Sequence, residues 1–180
     1  MNEDFTDDSI LPRKGSVMYS FMKETKSNQK KTANKFKRLN KFLVVPFYRI
    51  YILPIFQIGR IIALVYTKGR KSGKRRITPL EFRRYDNKIL LFSARGKYSD
   101  WYNNIIENPG DLKIRIGFRM YKPTPVKSSE QEKFKILKWY IGKFPKSAKE
   151  LFGYKKEIDI ISDELIKPVA EFLEILQLTI

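Results

Sequence analysis

The chain of 180 residues contains no cysteine and no histidine. Their absence excludes thiolate nucleophiles, disulfides, Cys/His zinc sites, haem-ligating histidine and every Ser-His-Asp arrangement. An enzyme with this sequence must work with Tyr, Lys, Ser or carboxylates, or with a bound cofactor that brings its own reactivity. Long apolar runs are lacking as well. The most hydrophobic stretch, residues 42–65, is cut by Arg49 and Arg60 and broken by Pro46 and Pro54. Its longest charge-free run, residues 50–59, falls well short of the ~20 residues a spanning helix needs. Acidic residues at Glu3, Asp4, Asp7 and Asp8 argue against a secretory signal, and a cysteine-free chain suits the cytoplasm.

What the sequence has in excess is positive charge, 37 Lys and Arg against 19 Asp and Glu, for a net +18. Such an excess implies an anionic partner, whether a phosphate-bearing cofactor, nucleic acid or acidic lipid, without choosing among them. The charge is segregated: residues 1–10 carry −4, 11–49 carry +10, 50–97 carry +10 and 98–180 only +2. Composition divides the chain in the same way. Residues 1–35 read as a basic arm, mostly disordered. Residues 36–59 read as an amphipathic helical segment on a surface, either that of its own domain or an anionic membrane at the inner face of the cell. Residues 60–180 read as the folded domain.

From residue 60 onward the pattern is that of strands. β-Branched and aromatic runs at 60–67, 75–85, 88–95, 112–118 and 120–127 alternate apolar and polar residues, most clearly at Leu112, Ile114 and Ile116 against Lys113 and Arg115. Asp86-Asn87 is a tight hairpin signal, and residues 173–180 suit a closing strand. Helices are expected at 98–110 with Ser99 or Asp100 as cap, at 128–144 with Ser128 or Ser129 as cap, at 146–153, and at 162–172 after a Ser162 cap. Five or six short antiparallel strands with helices between them predict a mainly β fold with flanking helices, a small barrel closed or half closed to remove its exposed edges.

The densest chemistry lies at the bend between the first two strands, "KGRKSGKRR", where six of the nine residues 68–76 are basic and Gly69 and Gly73 bound the turn. The stretch is not a P-loop: three residues, not four, separate the glycines, and Arg75 follows Lys74 where Ser or Thr is needed. Glycines there would let backbone N–H groups turn toward an anion, with Arg70, Lys71 and Ser72 adding charge-assisted hydrogen bonds.

The run "GRKSGKRRITPLEF" followed by "LLFSARGKYSDWYNNIIENP" resembles the deazaflavin-dependent nitroreductase family, split-barrel oxidoreductases that use coenzyme F420. The resemblance is close over 60–126 and looser over 145–180. It implies an FMN-binding-like split β-barrel, a homodimer, and hydride transfer from the reduced deazaflavin to a quinone-like, nitro or conjugated carbonyl acceptor. The coenzyme has a planar tricyclic head, a phosphodiester and a glutamate tail, so it needs a cationic groove and a flat, partly apolar slot. By resemblance, Arg70, Lys71 and Ser72 bind the phosphate and tail, while Arg76, Ile77, Thr78, Pro79, Leu80, Glu81 and Phe82 run along the coenzyme. Ser93, Ala94 and Arg95 line the head and phosphate region, and Asp100, Trp101, Tyr102, Asn103 and Asn104 approach from a helix start.

Hydride transfer asks for geometry more than for acid and base groups, with a proton from solvent, Ser93 or a tyrosine. The tyrosine-rich C-terminal segment of the nitroreductase branch is reduced here to Tyr140 and Tyr154 as candidates, which leaves the acceptor open. The same barrel holding FMN, or a non-catalytic relative storing a cofactor or fatty acid, is the nearer alternative. A nucleic-acid-binding module fits the charge but not its concentration at one tight loop. The arm and segment up to Tyr51 suggest contact with an anionic membrane where lipid-soluble quinones dissolve.

Overall fold

The computed structural model describes residues 9–22, 34, 38, 45, 46 and 61–180. It falls into two compact units. A sheet unit comprises Lys31–Ser93, Lys97–Lys127 and Ile175–Ile180, and a helical unit comprises Met1–Lys30, Ala94–Gly96 and Ser128–Glu174.

The sheet unit holds seven strands, β1 (Ile62–Lys68), β2 (Arg75–Tyr85), β3 (Lys88–Ser93), β4 (Lys113–Ile116), β5 (Arg119–Tyr121), β6 (Thr124–Lys127) and β7 (Glu174–Thr179). Their order is β5-β4-β1-β2-β3-β7-β6. The pairs β1–β2, β1–β4, β2–β3, β4–β5 and β6–β7 are antiparallel. The additional strand arises because the apolar run 120–127 is two strands: Lys122 and Pro123 lie between β5 and β6, and Pro has no N–H for a ladder. Those strands sit at opposite ends of the order yet are joined by two residues, so the sheet's edges approach within about 11 Å of one another. A sheet whose ends are tied so closely must curl. The fold is the antiparallel split half-barrel with flanking helices that the sequence predicts.

Asp86 and Asn87 both have positive φ, 48° and 57°, and turn β2 into β3 in two residues. Inside the curl, Ala63, Val65, Phe82, Leu91, Ile105, Ile114 and Leu176 form a buried core. The opposite face of β1 is also covered, since Leu64 and Tyr66 pack with Ile77 and with Val45 from the aromatic-basic segment. Of residues 36–59 only Arg38, Val45 and Pro46 are described, so the expected helical segment lies almost wholly outside the described residues.

The sheet unit's helix α2 (Asp100–Glu107) is preceded by Ser99. Ser99 takes the cap position but not the capping bond, because its hydroxyl accepts from Ser93 Oγ at 2.6 Å. The helical unit contributes α1 (Val17–Met22), α3 (Glu130–Lys143), α4 (Pro145–Phe152) and α5 (Asp163–Phe172). Helix α3 starts at a capping box in which Ser129 Oγ accepts from the Glu132 N–H and Glu132 accepts from the Ser129 N–H. Ser162 caps α5 through the Leu165 N–H.

One expectation is corrected. Residues 9–22, within the stretch read as a disordered arm, are folded: Leu11 and Met18 are completely buried, and the Leu11 and Arg13 N–H groups donate to the Leu165 and Phe152 carbonyls. The Arg13 guanidinium meets the Asp159 carboxylate through two bonds of 2.6 and 2.7 Å, with both side chains buried. A short apolar run and one long-range ion pair outweigh the polar composition around them.

Candidate functional site

The β1–β2 bend closes at the pair Lys68 and Arg75, leaving six residues, 69–74, to turn the chain. The turn is internally bonded. Gly69 N–H donates to the Lys74 carbonyl at 2.9 Å, and the Ser72 and Gly73 N–H groups donate to the Gly69 carbonyl at 3.2 and 2.7 Å. Lys74 N–H reaches Ser72 Oγ at 3.4 Å. Of the bend's backbone N–H groups, those of residues 69, 72, 73 and 74 are thus engaged within the turn, which leaves attraction for an anion chiefly to side chains. Gly73 adopts φ 63°, and a Cβ on Gly69 would lie 2.9 Å from Ser72 Oγ, so both glycines are fixed by the turn.

Helix α2 holds the bend in place. Asn104 is buried; its Oδ1 accepts the Arg70 N–H at 3.0 Å and its Nδ2 donates to Thr67 Oγ1 at 3.4 Å. Asp100 and Glu107, two turns apart on one helix face, both approach the Arg70 guanidinium, Asp100 at 3.3 Å from Nη1 and Glu107 at 3.7 Å from Nε. Arg76 Nη2 donates to Ser72 Oγ at 3.4 Å. On the other side of the strand Arg75 lies over the Tyr66 ring, 5.0 Å from its centroid, as the alternation of a strand requires.

Between bend, strand and helix runs an open groove of ≈ 580 Å³ lined by Gly69, Arg70, Lys71, Ser72, Arg76, Ile77, Thr78, Asp100, Trp101 and Asn104. Residues 69–72 of the bend and 76–78 of β2, close in sequence, and residues 100–104 of α2, remote from them, supply the walls, and all but Gly69 are residues named from the sequence as coenzyme contacts. Trp101 is half-buried, packs against the core and meets Tyr102 edge to face with centroids 6.1 Å apart.

The remaining candidates lie elsewhere. Tyr102 and Phe82 are core residues, Pro79 is buried, and Leu80 packs on the core. Glu81 pairs with Arg83 at 2.6 Å. Asn103 donates to the carbonyls of Lys97 and Ser99, bracing the start of α2. Ser93 is 1 % exposed with its hydroxyl bonded to Ser99, so burial sets it apart from the groove. Ala94 and Arg95 belong to the helical unit, where Arg95 lies 5.8 Å over the Phe21 ring. Tyr140 and Tyr154, also of that unit, are buried, Tyr140 against Phe144 and Phe152. Burial, then Asp159 and Glu157, pushes the Tyr154 hydroxyl above its ordinary pKa. None of these residues lines the groove.

Two contributors were not singled out from the sequence, Thr67 and Glu107, and Gly69 was named there only as a bound of the turn. Glu107 was legible, since the spacing of seven from Asp100 puts both carboxylates on one helical face. Thr67 was not, because nothing local marks a strand-end hydroxyl as the partner of a distant asparagine.

The site is a basic groove with an aromatic wall on a curled antiparallel half-barrel. Residues 54–160, more than half the chain, match the family model of F420H(2)-dependent quinone reductase. The chain belongs to that family; it is an oxidoreductase, and its coenzyme is F420. The FMN alternative gives way to that assignment. Among solved structures, one titled F420-H2 dependent reductase (FDR-A) is 24% identical, with 66% of this chain and 94% of that chain covered and a TM-score of 0.44. A second, described as a domain-swapped dimer, is 21% identical over 74% of this chain and 97% of its own, with a TM-score of 0.44. A third, ChuZ from Campylobacter jejuni, is 13% identical over 87% and 54%, again with a TM-score of 0.44. A search of curated proteins finds no match.

The groove fits the coenzyme by its donor set. Lys71 and Arg76 are exposed cations beside it, Ser72 adds a hydroxyl, and Trp101 with Ile77 adds apolar surface. Its volume lies within the roughly 300–1,000 Å³ common for ligand sites.

Proposed function

We propose that the chain reduces a quinone-like, nitro or conjugated carbonyl acceptor with reduced F420 bound in the groove between the β1–β2 bend and α2. The reading rests chiefly on one observation: Lys71, Arg76 and Thr78 of the bend and β2 share a single open groove with Trp101 of α2, which the sequence separates from them. When bound, the reduced deazaflavin supplies a hydride. Lys71, Arg76 and Ser72 would hold its phosphodiester and glutamate tail by charge-assisted hydrogen bonds. Trp101 and Ile77 would offer the flat, apolar surface against which a planar head and a planar acceptor are excluded from water. Asn104 acts one step back, fixing the bend so that the cations are already placed.

The paired Arg70 would shift its bonds from Asp100 and Glu107 toward an incoming anion, or keep them and hold the groove's shape. Solvent at the open groove supplies the proton, because Ser93, Tyr140 and Tyr154 are all buried and do not line it. A homodimer, a cytoplasmic location and membrane contact through the basic arm are further proposals from the sequence; the arm beyond residue 22 falls almost wholly outside the described residues.

The decisive measurement titrates oxidised and reduced F420 into the protein, then follows oxidation of the reduced form by a panel of quinones, nitro compounds and enones. Micromolar coenzyme affinity, weakened in Lys71→Ala and Arg76→Ala, with turnover of at least one acceptor class is expected. Coenzyme binding that both substitutions leave intact would remove this groove as the site.

A further inference from the structure

The helical unit carries a second concentration of positive charge, independent of the groove. Lys14 and Gly15 of the N-terminal segment, Lys146, Lys149 and Glu150 of α4, and Lys155 beyond it line an open cleft of ≈ 640 Å³. Arg13, at its base, is neutralised by Asp159. The lysines line the cleft with Glu150 as the one carboxylate among its lining residues, while Lys155 also feels the Asp159 carboxylate. Like charges gathered in this way repel, and an anion is what relieves them.

The same turn that supplies Lys155 presents two isoleucines to water. Ile158 is 68% and Ile160 87% exposed, the latter the most exposed large apolar side chain among the described residues. They flank Asp159, which is fully engaged: its carboxylate takes Arg13 and the Lys155 N–H at 2.6 Å, and its own N–H donates to the Lys155 carbonyl at 2.9 Å. The Ile158 N–H donates to that carbonyl too, at 3.2 Å. The turn is thus braced from below by polar contacts while its apolar side chains stand outward. Two exposed isoleucines two positions apart make a small outward apolar patch, the kind of feature that marks an interaction surface.

We infer that this surface docks on an anionic phospholipid bilayer, with Ile158 and Ile160 entering the interface and Lys14, Lys146, Lys149 and Lys155 meeting headgroup phosphates. Charge alone would suit any soluble polyanion. The two outward isoleucines on the turn that carries Lys155 favour the bilayer, which offers an apolar layer directly beneath a layer of negative charge. The inference does not depend on the acceptor or on the coenzyme groove.

The test uses the full chain with vesicles of phosphatidylcholine containing phosphatidylglycerol and vesicles of phosphatidylcholine alone. Binding to the anionic vesicles only, weakened by salt, is expected. Ile158→Asp/Ile160→Asp should lower the affinity about tenfold or more, and Lys146→Glu/Lys149→Glu at least as much, at roughly fivefold per lysine removed. Circular dichroism and F420 affinity should be those of the unaltered chain in both variants. Failure of the unaltered chain to bind would overturn the inference, as would equal binding by both variants, which would assign the contact to the basic arm. Loss in the lysine variant alone, accompanied by binding of inorganic polyphosphate, would replace the bilayer with a soluble anion.

Discussion

The backbone N–H of Arg70 donates to the side-chain oxygen of Asn104 at 3.0 Å, tying the cationic bend to helix α2. Asn104 is buried and its amide nitrogen is also engaged, with Thr67. Asn104→Ala leaves both partners unsatisfied and should lower stability by about 1–3 kcal/mol. Asn104→Asp keeps the acceptor for Arg70 but loses the donor to Thr67, so it should fall between. Thermal unfolding ranks the three proteins, and coenzyme affinity should follow the same order. An unchanged affinity in a destabilised Asn104→Ala protein would show that the bend's position does not matter for binding.

Asp100 and the groove's cations pull in opposite directions. Its carboxylate is more than half exposed, lines the groove and holds Arg70 at 3.3 Å. Asp100→Asn removes a negative charge from a site for a polyanion and releases part of Arg70, so F420 should bind a few-fold tighter at low salt, the gain shrinking as salt rises. Lys71→Ala and Arg76→Ala should each weaken binding about tenfold or more. Isothermal titration at two salt concentrations measures both effects. Weaker binding in Asp100→Asn would instead make Asp100 an acceptor of a coenzyme hydrogen bond.

Much of this architecture could be read from residue order. Strand alternation, the Asp86-Asn87 turn and the Ser129 and Ser162 caps are local signals, and each appears where the pattern puts it. The loop, β2 and α2 walls of the groove were legible through the resemblance. The rest was lost to tertiary context. Trp101 and Tyr102 are adjacent and chemically alike, and only the helix's orientation decides that Tyr102 enters the core while Trp101 lines the groove. The backbone N–H groups of the bend looked available because its glycines permit many turns; the turn adopted engages most of them. Residues 9–22 are tied down by remote contacts such as that of Arg13 with Asp159, 146 positions away, which no local window can see.

That remote pair gives acid sensitivity to the helical unit. The Arg13 hydrogen bond holds the Asp159 carboxyl below the ordinary carboxylate range; burial opposes it, and the Lys155 N–H adds to it. A depressed folded pKa means that the unfolded chain binds more protons in the window below the ordinary value of about 3.9. The stabilising contribution is therefore complete above about pH 5 and is lost as pH falls through the folded pKa. Asp159→Asn should cost about 3–5 kcal/mol at neutral pH, leaving Arg13 buried without its counter-charge. Urea midpoints should fall less steeply from pH 5 to 3 in Asp159→Asn than in the unaltered chain; parallel slopes would show that other carboxylates govern acid unfolding.

Trp101 offers an optical test of where the coenzyme lies. The chain has two tryptophans, and Trp139 belongs to α3 of the helical unit, where it packs edge to face on Phe144 at 5.5 Å. Trp101 lines the groove, so a flat chromophore bound there stands against it. Fluorescence should be quenched on adding F420 to the unaltered chain. Trp101→Phe retains an aromatic wall and should bind with an affinity within a few-fold while losing most of the quench. Trp101→Ala removes the wall as well and should weaken binding about tenfold, since a stacked aromatic contact is worth about 0.5–1.5 kcal/mol beyond the apolar area it buries. Quenching that persists undiminished in Trp101→Phe would show that the chromophore does not stand against Trp101 and would remove this groove wall as its site.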